Sequence, residues 1–126
     1  MAEKGFFCGI NLPKDPASLS DMEKKHIPVI DAPDEVKAGE PFKVTIKVGE
    51  MPHVTEEAHH IQWIDVYFGQ NFYARVDLTP AFTCPEITLT LIRHGKGTHK
   101  AGTMRVVERC NIHGLWEATK EVQVKE

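Results

Sequence analysis

The sequence predicts an all-β fold, an antiparallel β-sandwich. Apolar and polar residues alternate in several segments, turns rich in Gly and Pro separate these segments, and no long helical period interrupts them. The clearest alternation is in EPFKVTIKVG, where Phe42, Val44, Ile46 and Val48 share one face. Strands at this spacing, without intervening helices, are typical of two packed antiparallel sheets.

The predicted strands follow one another along the chain. A first strand begins at the Ile-Pro pair of KKHIP, and EPFKVTIKVG follows it. The later strands are HIQWIDVYFG, NFYARVDL, EITLTLI, GTMRVVERCN and LWEATKEVQV. In HIQWIDVYFG we expect Ile61 and Trp63 on one face, and Ile64, Val66 and Phe68 on the other. The connections DAPDEVKAGEP, VGEMPHV, LTPAFTCPE and RHGKGTHKAG are predicted to be loops.

The chain of 126 residues fits one domain with a single core. We expect residues 22–126 to form the sandwich and residues 1–21 to form an irregular N-terminal extension. The extension contains two prolines in LPKDPASLSD, and one helical turn is expected to begin near Ser18 or Ser20.

Composition excludes several functional classes. A net charge of −3 gives no support for nucleic-acid binding, and no apolar run approaches the ~18 residues of a membrane span. The N-terminal segment MAEKGFFCGINLPKD is a poor signal peptide. The cysteines Cys8, Cys84 and Cys110 are odd in number and widely spaced, which favours a reducing, cytoplasmic setting over a disulfide framework.

Histidines and one cysteine are grouped in a way that predicts a metal site. His53 and the pair His59-His60 lie in a loop just before an apolar strand, and Cys110 and His113 form C-x-x-H at the end of another strand. Thiolate is a soft, strongly donating ligand, and imidazole suits Zn, Cu, Fe or Ni. Each element alone is a weak signal, but together they favour a metal centre at one end of the sandwich.

The donor types discriminate among metals. A blue-copper site needs an axial Met after the ligand loop, but no Met follows His113, and Trp116 stands in that region. Structural zinc usually takes more than one cysteine. Several histidines with one thiolate suit a five-coordinate iron with an open position. A cupredoxin-like electron-transfer protein and an interaction module with incidental histidines remain as alternatives.

The segments MPHVTEEAHHIQWI and ERCNIHGLWE resemble the superoxide reductases, also called neelaredoxins, which are related to the C-terminal domain of the desulfoferrodoxins. The resemblance covers roughly residues 22–126. It implies an immunoglobulin-like sandwich of about seven strands and one mononuclear non-haem iron, Fe2+/Fe3+, per chain. The implied activity is the one-electron reduction of superoxide to hydrogen peroxide without release of O2, which removes superoxide from the cell.

The resemblance also implies roles for particular residues. Lys25, directly before the first histidine of the set, would attract the superoxide anion, and the backbone N–H groups of Ile112 and His113 would donate to the thiolate. His60 would pack or form a hydrogen bond beside the site. The implied ligands are four equatorial histidines and one axial cysteine: His26, His53, His59, His113 and Cys110.

One position departs from the family pattern. Relatives place a glutamate that binds ferric iron where this chain has Lys24, and Glu23 lies one residue earlier. We expect an extended segment here, in which a shift of one residue reverses the side chain, so that water or hydroxide takes the sixth position. His94 and His99 match no ligand, and a solvated loop is expected for them.

The resemblance further implies partners and assembly. The substrate is superoxide, and an external donor such as rubredoxin or a flavoprotein-linked reductase returns the iron to its ferrous state. A homotetramer or a dimer is expected.

Overall fold

The computed structural model describes residues 9–94 and 101–125. Within these residues the chain forms nine strands and one short helix, α1 (Asp21–His26), which confirms the all-β prediction. The strands are β1 (Ile10–Asn11), β2 (Pro28–Asp31), β3 (Glu35–Lys37), β4 (Pro41–Val48), β5 (Ile61–Phe68), β6 (Asn71–Asp77), β7 (Glu86–Ile92), β8 (Ala101–Cys110) and β9 (Gly114–Lys125).

The strands form two sheets. The larger has the order β1-β9-β8-β5-β6, with β3 also paired to β9, and the smaller has the order β2-β4-β7. The seven longer strands pair antiparallel as predicted, whereas the short β1 and β3 pair parallel to β9. The prediction that DAPDEVKAGEP is only a loop was wrong, because it contains β3. A strand of three residues is too short to show a period in the sequence.

The core lies between the two sheets and is built from alternating positions. The core side chains are almost fully removed from water, and each large aliphatic or aromatic one contributes about 1.5–3 kcal/mol to the free energy of unfolding. The most deeply buried members are Val44, Ile46 and Val48 of β4, Ile64, Val66 and Phe68 of β5, Met104, Val106 and Cys110 of β8, and Val122 of β9.

A register irregularity at the start of β5 corrects one prediction. Ile61 is 3% exposed and belongs to the same core cluster as Ile64, so it does not share a face with Trp63. The pairing of β5 with β8 shifts between Ile61 and Trp63, as at a β-bulge. An extra residue reverses the alternation on one side of it, which simple periodicity cannot anticipate.

The short helix α1 confirms the predicted helical turn and fixes its start. Ser20 is the N-cap and accepts from the backbone N–H of Glu23, while the Glu23 carboxylate accepts from the backbone N–H of Ser20, a complete capping box. The prediction of an extended segment at Glu23 and Lys24 was therefore wrong. Because α1 ends at His26, the capping box fixes where this histidine enters the fold.

A tight turn after β4 holds the helix against the sandwich. The backbone N–H of Met51 donates to the carbonyl of Lys24 over 3.0 Å. Gly49 has φ +100°, and a Cβ there would overlap the backbone of Lys24 and Lys25. Only glycine allows this close approach without strain. α1 is thereby attached to the end of the sandwich where β5 begins and β8 ends.

The part of the chain described here contains no helix with the length and apolar character needed to cross a membrane. The predicted division at residue 21 stays a prediction, although Ile10 and Asn11 of the N-terminal extension pair with Leu115 and Trp116 of β9.

Candidate metal centre

Four histidine rings form a square at one end of the sandwich. His26, His53, His59 and His113 are neighbours in that order around the square, with ring-centroid distances of 4.6–5.0 Å and interplanar angles of 68–80°. The diagonal pair His26 and His59 is 6.4 Å apart and nearly parallel. Four edge-on imidazoles therefore surround one point. They come from α1, the loop before β5, and the turn between β8 and β9.

The hydrogen bonds of two of these rings define which nitrogen faces the centre. His26 Nδ1 lies 2.7 Å from the carbonyl of Met22, and His53 Nδ1 lies 2.7 Å from the carbonyl of Val54. A carbonyl can only accept, so both Nδ1 atoms carry hydrogen. Burial lowers the pKa of each of these histidines to about 4, so both rings are neutral at pH 7.

It follows that two lone pairs face each other. The Nε2 atoms of His26 and His53 are 3.2 Å apart, and neither carries hydrogen. Such a contact is repulsive unless a cation lies between the two nitrogens. A metal-binding histidine typically donates its other N–H to a backbone carbonyl, as both rings do here.

Cys110 lies beside two opposite corners of the square. Its Sγ is 3.6 Å from His53 Nε2 and 3.7 Å from His113 Nδ1, and the residue is fully buried. Burial raises the pKa of the thiol, and backbone N–H groups of His113 and Ile112 that donate to the sulfur lower it. The expectation that these two amides contact the sulfur is confirmed. They would stabilise a thiolate and tune its donor strength.

His59 occupies the remaining corner of the square. His59 Nε2 is buried and has no hydrogen-bond partner within residues 9–94 and 101–125. Single donor atoms of His26, His53, His59 and Cys110 lie within 4.8 Å of one another. With a typical metal–imidazole bond of about 2.1 Å, nitrogens at a right angle are about 3.0 Å apart and opposite ones about 4.2 Å. The donor set and its spacing therefore fit one ion held by imidazoles and a thiolate.

Trp116 supports two of the histidines, a role that the sequence alone did not reveal. Its ring is fully buried and stacks on His26 with centroids 4.8 Å apart, and its Nε1–H donates to the carbonyl of His113. A large rigid side chain thus restrains the orientation of one ring and the backbone of another. The motif C-x-x-H-x-x-W places this support three residues after the histidine.

Lys25 lies at the entrance to the square. A cavity of about 400 Å³ opens there, lined by Asp21, Met22, Lys25, Pro52 and Val54 together with His26, His53, His59 and His113. Burial and then the charge of His113 lower the pKa of His59, and the positive charge of Lys25 contributes to the same shift. The lysine is therefore close enough to act electrostatically on the centre.

The carboxylate of Glu23 accepts hydrogen bonds at the N-terminus of α1. Glu23 is 4% exposed, and its two carboxylate oxygens accept from the backbone N–H groups of Ser20 and Lys14 at 2.8 and 2.9 Å. These hydrogen bonds lower the pKa of Glu23, which keeps the carboxylate charged and held in place. Its separation from the centre thus results from the capping box, not from the extended backbone that we expected.

Glu108 is a second carboxyl group that sequence reasoning missed. It is fully buried on β8, and neither carboxylate oxygen has a hydrogen-bond partner among the described residues. Burial raises its pKa well above the usual range, which favours the protonated, neutral form. Its position two residues before Cys110 on the same face of β8 was the available signal.

The other candidate residues that the structure describes lie outside the square. His60 Nδ1 lies 3.1 Å from the carbonyl of Glu56, as expected for a hydrogen-bonded neighbour. His94 is exposed, and Cys84 is an exposed free thiol. Cys8 and His99 lie outside the described residues.

Comparisons with known proteins show which family the chain resembles. The family model described as Desulfoferrodoxin matches residues 18–119. The superoxide reductase of Pyrococcus abyssi is 40% identical over 120 residues, covering 89% of this chain and 98% of the relative. The neelaredoxin of Megalodesulfovibrio gigas is 34% identical over 116 residues, 81% of this chain and 89% of the relative. The solved superoxide reductase (neelaredoxin) of Ignicoccus hospitalis has a TM-score of 0.78 at 37% identity, covering 92% of this chain and 95% of that one.

Proposed function

The chain belongs to the desulfoferrodoxin and neelaredoxin family of superoxide reductases, and on that premise we propose that it reduces superoxide to hydrogen peroxide at one mononuclear iron. The proposed ligands are the four histidines of the square and, on one side of it, the Cys110 thiolate. The observation that carries this proposal is the pair of facing, unprotonated Nε2 atoms of His26 and His53, which lie 3.2 Å apart as two ligands of one cation would.

The donor set favours iron over the other metals considered. Four imidazoles with one thiolate exceed the four ligands of a structural zinc site. Blue copper uses two histidines, a cysteine and a weak axial ligand, which is a smaller set than this one. Iron in this site would supply the single electron that, with two protons, converts superoxide to hydrogen peroxide.

The side chains around the site define how the substrate approaches. Superoxide is an anion, and the chain has a net charge of −3, so the overall charge opposes the encounter. Lys25 at the entrance to the cavity supplies a local positive charge, which acts over about 8–10 Å at physiological salt. Its Nζ also presents N–H groups to an anion in the cavity, so it can hold a proton near the developing product.

We also propose that solvent, and not Glu23, would complete the ligand set of the ferric iron. Two backbone amides already bind the Glu23 carboxylate, and ligation would require breaking the capping box of α1. Lys24 cannot ligate in its charged form. A ferric spectrum typical of carboxylate ligation at neutral pH, and lost in Glu23→Ala, would contradict this part of the proposal.

An external one-electron donor completes the cycle. We propose a rubredoxin or a flavoprotein-linked reductase in this role, cytoplasmic location, and assembly as a homotetramer or dimer. The donor and the assembly are supported by the family resemblance, and the location by the odd number and wide spacing of the cysteines.

Metal analysis of anaerobically purified protein tests the proposal. We expect about one iron per chain and a visible charge-transfer band that appears on oxidation. His113→Ala should lower iron content, whereas His94→Ala, which changes an exposed histidine away from the square, should not. Stoichiometric copper would favour the cupredoxin-like alternative, and a folded protein that binds no metal would favour the interaction module.

A further inference from the structure

Asn111 joins the two loops that carry the proposed ligands. It lies in the turn between Cys110 and His113, and three of its polar groups bind the loop that carries His59. Its Oδ1 accepts from the backbone N–H of His60 at 2.9 Å, its Nδ2 donates to the carbonyl of Ala58 at 3.0 Å, and its backbone N–H donates to the carbonyl of His60 at 3.1 Å.

The directions of these bonds require an asparagine. The N–H of His60 needs an acceptor, and the carbonyl of Ala58 needs a donor. A primary amide offers one of each at the spacing of a peptide group. Aspartate would keep the acceptor but lose the donor, and alanine would lose both. The side chain of Asn111 thus acts as an additional peptide unit beyond the ladder of β5 and β8, whose last pair is Ile61 with Cys110.

The residue between the two attached positions is His59. Its own backbone exchanges hydrogen bonds with Glu56, with the His59 N–H donating at 3.1 Å and the Glu56 N–H donating to the His59 carbonyl at 2.9 Å. The turn is therefore closed on itself, and Asn111 is what attaches it to the β8–β9 turn. Without the side chain of Asn111, the loop keeps its internal bonds but loses two of its bonds to the strand end that carries Cys110.

We propose that Asn111 is a positioning residue that places His59 Nε2 at its corner of the square. This inference rests on the proposed ligand set. The buried His59 Nε2 has no hydrogen-bond partner among the described residues, so the placement of this nitrogen depends on the backbone that Asn111 holds. Removing a group that orients a ligand typically lowers metal affinity by about 10–100-fold.

The rate of iron loss tests this role independently of turnover. Iron-loaded protein is mixed anaerobically with excess ferrous chelator, and transfer of Fe(II) is followed for wild type, Asn111→Ala, His59→Ala and the double variant. We expect Asn111→Ala to accelerate iron loss by about 10–100-fold. In the His59→Ala background the same substitution should add less than about threefold, because the ligand that it positions is already absent.

Controls separate positioning from general destabilisation. Asn71→Ala changes an exposed asparagine at the opposite end of the sandwich and should lose iron at the wild-type rate. Asn111→Asp keeps the acceptor and should lose iron at a rate between those of wild type and Asn111→Ala. If Asn111→Ala does not fold, the comparison of Asn111→Asp with wild type tests the same role. Asn111→Ala should also shift the charge-transfer band of the oxidised protein, which a purely structural role would leave unchanged.

The outcomes distinguish this inference from the function on which it rests. The positioning role alone would be overturned if Asn111→Ala and Asn111→Asp lost iron at the wild-type rate. It would also be overturned if Asn111→Ala accelerated iron loss equally in the wild-type and His59→Ala backgrounds. Wild-type protein that binds no iron under these conditions would overturn both the role and the proposed function.

Discussion

At the scale of single residues, proton positions determine what the centre can bind. The low pKa of about 4 for His26 and for His53 leaves both rings unprotonated at neutral pH, so neither has to lose a proton before it binds a metal. Cys110 differs, because burial raises the pKa of its thiol and it must lose a proton to become a ligand. His26 and His53 can therefore bind a cation without losing a proton, whereas Cys110 loses its proton when the cation binds.

This difference predicts a proton count. At pH 8, binding of Fe(II) to the metal-free protein should release about one proton per metal, from Cys110. Titration calorimetry in two buffers with different ionisation enthalpies measures this number. Cys110→Ser, whose hydroxyl does not ionise at this pH, should release close to none. Equal proton release by wild type and Cys110→Ser would show that the thiol is not the source.

Lys25 gives a second prediction at this scale. Lys25→Ala should slow the bimolecular reaction of the reduced protein with superoxide by roughly tenfold and weaken its dependence on ionic strength, because the local attraction is lost. Stopped-flow or pulse-radiolysis rates at several salt concentrations provide the measurement. Lys43→Ala, on β4 at the end far from the square, is the matched control. The steering role fails if both variants show wild-type rates.

At the scale of elements, the six-residue helix α1 is too short to be stable alone and depends on its cap. Its capping box and its contact with the Gly49 turn fix the position of its last residue, His26. The Glu23 carboxylate therefore stabilises the helix whose last residue, His26, is a proposed ligand.

Removal of the cap should affect both stability and metal retention. Ser20→Ala should lower the free energy of unfolding by about 1 kcal/mol and accelerate iron loss, because α1 holds His26 less firmly. Chemical unfolding and transfer of iron to a chelator measure the two effects. Ser18→Ala, an exposed serine two residues earlier, should change neither. Indistinguishable behaviour of the two variants would contradict the role given to the capping box.

The elements also show where sequence reasoning succeeds. The alternation of apolar and polar residues in β4 and β7 matches the alternation of their burial, so these strands were predicted from pattern alone. The shift at Ile61 and the helix at Glu23 were not, because a bulge and a capping box depend on hydrogen bonds between specific backbone groups. The histidines and Cys110 were found through motifs, but Asn111 acts through distances that no sequence spacing encodes.

At the scale of the whole molecule, a buried carboxyl group lies in the core of the sandwich beside the proposed metal centre. Glu108 lies between Val106 and Cys110 on the inner face of β8, and its raised pKa means that the folded protein binds a proton that the unfolded chain releases above its usual pKa of 4.5. Stability from this position is therefore complete below pH 4.5 and declines as pH rises.

Glu108→Gln should remove that pH dependence. For metal-free protein, the free energy of unfolding of the variant relative to wild type should increase between pH 5 and pH 8, because the neutral amide needs no proton to remain buried. Urea unfolding at the two pH values provides the comparison. A difference that stays constant across this range would show that the Glu108 carboxyl does not hold a proton in the folded state.

The proposed function requires that the iron-loaded centre reduce superoxide without dismuting it. The most direct measurement is the product yield when fully reduced, iron-loaded protein is mixed anaerobically with less than one equivalent of superoxide. The proposed function predicts one hydrogen peroxide for each superoxide, one oxidised centre for each turnover, and no O2. A yield of half a peroxide per superoxide, with O2 evolved and the centre still reduced, would contradict it.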